Sequence, residues 1–160
     1  MMFLAEVRDL KSCIPCAEKF HGIYDPGVPF CESSFIDYWT SILESKQGFM
    51  ILFEHKDGDV IAGAGGVITK FQTSDVLNSV ELFYWVEPEF RGKIGLKLLR
   101  EFEEESARRG AKRVVMACME SSEPDRAEKL YIAKGYKKFE RHYVKDIEMC
   151  KAVAAHNKDL

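Results

Sequence analysis

A chain of 160 residues, 46% apolar and 31% charged, has the make-up of one soluble domain with its own core. Its net charge of −3 argues against a general nucleic-acid binder, which needs a basic face. No apolar run approaches the length of a membrane span, so no membrane partner is expected either.

"MMFLAEVRDL" opens the sequence and is too short and too acidic for a signal peptide, so a cytoplasmic protein is expected. Residues 2–7 read as a strand. "DLKSCIPCAEKFH" then places Leu10, Ile14, Ala17 and Phe20 at helical spacing, with Pro15 expected to delay or kink the start. "GIYDPGVPF" (22–30), with its glycines and prolines, is a loop. "ESSFIDYWTSILESK" predicts a second helix, capped by Ser33 or Ser34, that turns Phe35, Tyr38, Trp39 and Ile42 to one face.

Three strands come next: residues 48–55, 59–71 and 79–88. The first two flank Lys56-Asp57-Gly58, a tight hairpin signal. A helix from about Ile94 to Arg109 follows and stops at Gly110. Its apolar face is Ile94, Leu98, Leu99 and Phe102, and the acidic run Glu101, Glu103, Glu104, Glu105 reads as a solvated face. "KRVVMACM" (112–119) is an almost continuous apolar strand, as expected of one buried on both faces. The next helix opens near Pro124 and closes at Gly135, and "YKKFERHYVKDI" alternates like a last strand. The order β-α-α-β-β-β-α-β-α-β predicts a mixed α/β fold. Its meander over 48–86 is antiparallel, and the crossover through helix 94–109 sets strand 112–119 parallel to strand 79–88. Residues 1–147 form the expected domain and 148–160 a polar tail.

Five cysteines, an odd number, point to reduced thiols. "CIPC" (13–16) has redox-motif spacing, and His21 and Cys31 are near enough in sequence to suggest zinc. A redox pair should follow a strand and open a helix, and a zinc site wants four ligands at recognisable spacing. Small buried or surface thiols, and no metal, are the expectation.

"VEPEFRGKIGLKLLREFEEESARRG" (86–110) is a strand end, a basic turn with two glycines, and a helix start. That arrangement offers unpaired N–H groups and a partial positive charge to a phosphate. Together with "RAEKLYIAKGY" and the element order, it resembles the GNAT superfamily of acyl-CoA N-acetyltransferases over roughly residues 2–147. The resemblance implies a single-domain, mostly antiparallel mixed sheet with a splayed parallel strand pair, flanked by about four helices. It implies acetyl-CoA as co-substrate and a small-molecule or peptide amine as acceptor, in a monomer or homodimer. By the same resemblance, Trp85 and Val86 end the splayed strand, and Arg91, Gly92, Lys93, Ile94, Gly95 and Leu96 form the pyrophosphate turn. Lys93, Lys97 and Arg100 are further phosphate candidates.

Two departures stand out. The family's turn reads R-G-x-G-x-G, whereas Arg91-Gly92-Lys93-Ile94-Gly95 is one residue short and lacks the middle glycine. Pro124 stands where the family often has a cofactor-binding asparagine, leaving Ser121 or Ser122 as substitutes, while Ala127 matches its expected place. For the chemistry, Tyr131 is the implied acid and Glu81 the natural base, with Glu140 and His142 as alternatives. The oxyanion donor is a backbone N–H near Val86. Glu81 lies five residues before Val86, so strand parity puts the two on opposite faces unless a bulge intervenes. Tyr24, Phe30 and Tyr38, among Asp25, Glu32 and Asp37, are the acceptor candidates, since aromatics with carboxylates suit a cationic amine. A GNAT-like module that binds CoA or a protein partner without turnover is the alternative.

Overall fold

The computed structural model describes residues 1–120, 122–145 and 147. Apolar runs broken by turn residues build a sheet in the order β1-β2-β3-β4-β5, from Met2–Leu4, Gly48–Glu54, Val60–Lys70, Leu77–Val86 and Arg113–Val115. All neighbours are antiparallel except β4 and β5. The β2–β3 hairpin closes on Gly58 at φ +90°, with His55 N–H donating to Asp59 C=O at 2.8 Å.

Helices α1 (Leu10–Tyr24) and α2 (Glu32–Glu44) cover one face of the sheet. Leu10, Cys13, Cys16 and Trp39 meet Met50, Leu52, Phe83 and Trp85 there. Helix α3 (Lys93–Arg108) covers the other, where Leu98 and Phe102 pack on Phe49, Ile51, Ala62, Ala64 and Val86. Burying one such side chain contributes about 1.5–3 kcal/mol. Helix α4 spans Pro124–Ala133. The chain forms two compact units, Met1–Ala127 and the residues from Glu128 onward.

Several expectations are corrected. Pro15 does not delay α1, which starts at Leu10 and runs through it, because the proline removes only one N–H while the buried face continues. Cys31, not Ser33 or Ser34, is the N-cap of α2, and the two serines sit in its first turn. Tyr38 is 52% exposed, while Ile36 and Leu43 take the inward places beside Trp39. Glu105 is not on a solvated face: it is 5% exposed and accepts from Arg109 Nε at 2.6 Å, with Arg108 at 3.3 Å. The strand expected over 112–119 shortens to Arg113–Val115 and is only half-buried. Residues 136–145 form no strand, for Tyr143 and Val144 are almost fully exposed and a strand holds only beside a partner. The 148–160 tail lies outside the described residues.

Candidate functional site

The β4–β5 pair opens partway along its length. Register runs Asn78↔Arg113, Ser79↔Val114 and Val80↔Val115, and there it stops, while β4 continues to Val86 along β3 alone. Residues 81–86 therefore have no strand beside them on the β5 edge among the described residues.

A bulge sits at the point of divergence. Gly65 pairs with Phe83 and Gly66 with Glu81, leaving Leu82 as the extra residue on β4. It resolves the parity conflict. Glu81, Tyr84 and Val86 face β3 residues 66, 64 and 62, so all three lie on the α3 side, while Leu82, Phe83 and Trp85 join the α1–α2 core. Ala117 N–H donates to the Glu81 carboxylate at 2.9 Å. Burial raises this carboxyl to about 7 against that amide's opposing effect.

The turn after β4 starts with a 3-10 segment, Pro88–Phe90. Gly92 caps α3 with φ +100° and ψ −107°, a region closed to residues with a Cβ. The first helical bond is Leu96 N–H to Gly92 C=O at 3.0 Å, so the amides of Lys93, Ile94 and Gly95 precede the helical ladder. Tyr84 Oη donates to Gly95 C=O at 2.7 Å, tying the helix start to β4. Burial first, then the Glu81 and Glu103 carboxylates, push the Tyr84 phenol well above its ordinary range, so it stays a donor. Space beside Gly92 is open, and a Cβ on Gly95 would lie 3.5 Å from Tyr84 Oη. A shortened turn thus still presents consecutive amides.

Arg91 turns inward. Its Nε donates to Val86 C=O at 3.3 Å, its Nη1 meets Glu123 at 2.9 Å, and its guanidinium lies 5.5 Å from the Trp85 ring centre. Arg100 pairs with Glu104 and Lys97 sits over Phe53, whereas Lys93 makes no ion pair among the described residues. Leu96 is exposed and Ile94 half-buried. Trp85 is buried away from the α3 side, so only its backbone borders the opening. Ser122 donates its N–H to Met119 C=O at 3.1 Å, and Ser121 lies outside the described residues.

Tyr131 belongs to the second unit, where its ring lies 5.4 Å from Tyr136. Glu140 and His142 in that unit pair with each other at 3.1 Å. Among the acceptor candidates, Phe30 and Tyr38 join one chain of rings, His21–Phe30–Phe35–Trp39–Tyr38, with neighbouring centroids 5.7 to 6.5 Å apart. Tyr24 belongs to another, stacked on Phe20 at 5.7 Å. Cys13 and Cys16 lie inside α1, and burial pushes both thiols up to about 12, so both are held as neutral thiols near pH 7.

Sequence reasoning missed Tyr84 and the Ala117 amide. Tyr84 had a signal, its even spacing from Val86; the amide had none.

A profile of the acetyltransferase (GNAT) family matches residues 15–136. Among solved structures, a probable acetyltransferase is similar at 16% identity and TM-score 0.74, over 93% of this chain and 99% of that one. Glucosamine-6-phosphate N-acetyltransferase from Arabidopsis thaliana is similar at 16% identity and TM-score 0.69, over 92% and 99%. A predicted acetyltransferase with acetyl-CoA from Clostridium acetobutylicum is similar at 15% identity and TM-score 0.68, over 91% and 96%. No curated protein sequence matches. With a family profile spanning most of its length and that fold reproduced, the chain belongs to the GNAT family of acetyltransferases.

Proposed function

We propose that this protein is an N-acetyltransferase that moves an acetyl group from acetyl-CoA to an amine by direct attack in a ternary complex. The observation that carries the reading is the bulge at Leu82, which turns Glu81 to the side of Tyr84 and Val86 where β4 and β5 part. The likeness to the plant sugar-phosphate enzyme is one of fold and does not bring its acceptor here.

Bound acetyl-CoA would supply the acetyl group as a thioester, and the amides of Gly92 to Gly95, with Lys93, would hold its pyrophosphate. Glu81 removes a proton from the incoming ammonium, since a carboxyl with a pKa of about 7 is a competent base near neutrality. The backbone at Val86, whose C=O accepts from Arg91 Nε, borders the opening in which an oxyanion would be stabilised. Tyr131 is assigned the acid from the family motif. Tyr24, Phe30 and Tyr38 are assigned to the acceptor side, in a cytoplasmic domain of residues 1–147.

Calorimetric titration with acetyl-CoA and CoA, beside a Gly95→Trp variant, tests this directly, followed by an amine screen scored by CoA release. Micromolar binding lost in the variant, with release on at least one amine, is expected. Binding with no release on any amine would favour a CoA-binding module without turnover. No binding at millimolar ligand would sink both readings.

A further inference from the structure

The open edge of β4 has a polarity that its pairing with β3 sets. Glu87 N–H donates to Ile61 C=O at 2.9 Å, one step past the Val86↔Ala62 pair. Residues of an antiparallel pair alternate between bonding to the partner strand and pointing away from it. Val86 therefore turns both its N–H and its C=O to the open edge. For a thioester oxygen that gains negative charge there, the two groups act oppositely. The N–H attracts it and the lone pairs of the C=O repel it.

Arg91 offsets the repulsive member. Its Nε donates to Val86 C=O at 3.3 Å. The guanidinium is held on two further sides, by a Glu123 carboxylate oxygen 2.9 Å from Nη1 and by the Trp85 ring, whose centre is 5.5 Å away. Glu123 is itself fixed from several directions. Its C=O accepts from the Arg126 and Ala127 amides at 3.0 and 3.3 Å, and its carboxylate also pairs with Arg126 at 3.5 Å. Its φ is +41°, a region that residues with a Cβ rarely enter, least of all before a proline. Such a conformation persists only where the surroundings impose it. All of these residues lie within the unit Met1–Ala127.

We propose that Arg91 is a positioning residue for acetyl transfer: clasped by Glu123 and the Trp85 ring, it caps Val86 C=O and leaves Val86 N–H to meet the oxyanion. The inference rests on the acetyltransferase reading, which sets the thioester in the opening. Arg91 stands next to the phosphate-facing amides in sequence, but its side chain turns back to the strand end. Its charge serves the reacting carbonyl and not the pyrophosphate.

Infrared difference spectroscopy of bound acetyl-CoA, isotope-labelled at the thioester carbonyl, tests this without turnover, because a hydrogen bond lowers a carbonyl stretch. The band is expected below its free position in the unchanged protein. It should move back toward that position in Arg91→Met, which keeps the stem and loses the donors, and less far in Glu123→Gln and Arg91→Lys. The double variant should match Arg91→Met, since Glu123 acts through Arg91. With an acceptor amine, kcat of Arg91→Met should fall about tenfold, while KM for acetyl-CoA and the calorimetric Kd for CoA stay within about twofold. Should Arg91→Met not fold, Glu123→Gln and Arg91→Lys carry the same comparison. A band that does not move in the variants overturns the proposal. So does a Kd for CoA weakened about tenfold or more at constant kcat, which would make Arg91 a phosphate ligand. In both cases CoA binding leaves the acetyltransferase reading standing, whereas no binding of acetyl-CoA to the unchanged protein sinks both.

Discussion

The two edges of β4 are made from one stretch of chain and do opposite things. Toward β3 the strand is laddered from Leu77↔Lys70 to Val86↔Ala62, interrupted only by the bulge at Leu82. Toward β5 it pairs over three residues and then parts. The closed edge is backed on the α3 side by Phe102 and Leu98, while the open edge has no strand beside it among the described residues, only the Arg91 side chain at Val86 C=O and the Ala117 amide at Glu81. The closed edge supplies the rigidity that lets the open edge stay open. A strand with both edges free would collapse or recruit a partner.

Breaking the closed edge should have the largest effect. Phe102 is fully buried, 5.0 Å from Phe49 and against Gly66, so Phe102→Ala should cost about 3–5 kcal/mol in urea denaturation. A loss below about 1 kcal/mol would mean that α3 is not what backs the sheet.

The open edge is probed next through Glu81. Glu81→Gln should lower kcat/KM roughly a hundredfold at neutral pH and abolish the rise in rate through about pH 7. The sign for stability is opposite. The folded chain holds this proton up to about pH 7 rather than the ordinary 4.5, so the stabilisation is full below 4.5 and is lost as pH rises through 7. Glu81→Gln should flatten that decline, and an unchanged pH–stability curve would contradict the raised pKa.

A smaller effect is expected where the two edges are joined. Tyr84 reaches from the sheet to Gly95 C=O, and Tyr84→Phe removes one buried hydrogen bond, worth about 1 kcal/mol. The dissociation constant for CoA should rise about fivefold with kcat little changed. An equal fall in kcat with no change in CoA affinity would place Tyr84 in the chemistry instead.

The smallest effect distinguishes the thiols. Cys31 is exposed and held down to about 7, chiefly by the Ser33 and Ser34 hydroxyls, whereas Cys13 and Cys16 are pushed up to about 12. Mass spectrometry after brief alkylation at neutral pH should find Cys31 labelled and the other two intact, with no change in unfolding temperature. Early labelling of Cys13 or Cys16 would revive the redox reading of "CIPC".

Local patterns were enough to place nearly every element: the β2–β3 hairpin, the apolar face of α3, and the glycine turn with its N–H groups. These rest on short-range physics, since turn residues and periodicity act within a few residues of themselves. The family motif likewise lay in one contiguous stretch, Glu81 to Tyr136.

Packing between distant segments decided the rest. Which side Glu81 faces depends on a bulge, and a bulge is a property of two paired strands that neither strand's own alternation reveals. Glu105 looked like one more solvated carboxylate; its i,i+4 pair with Arg109 is local, but the bond from that arginine to Gly48 C=O, which ties the pair to β2, has no local signature. Residues 136–145 alternate well enough for a strand, yet alternation creates only the demand for a partner. Glu87, which the sequence did not single out, acquired its surroundings from Lys19 and Cys16, far away in sequence on α1. Burial and pairing are set by what folds against a residue, so the charges that matter most here were the ones their neighbours in sequence said least about.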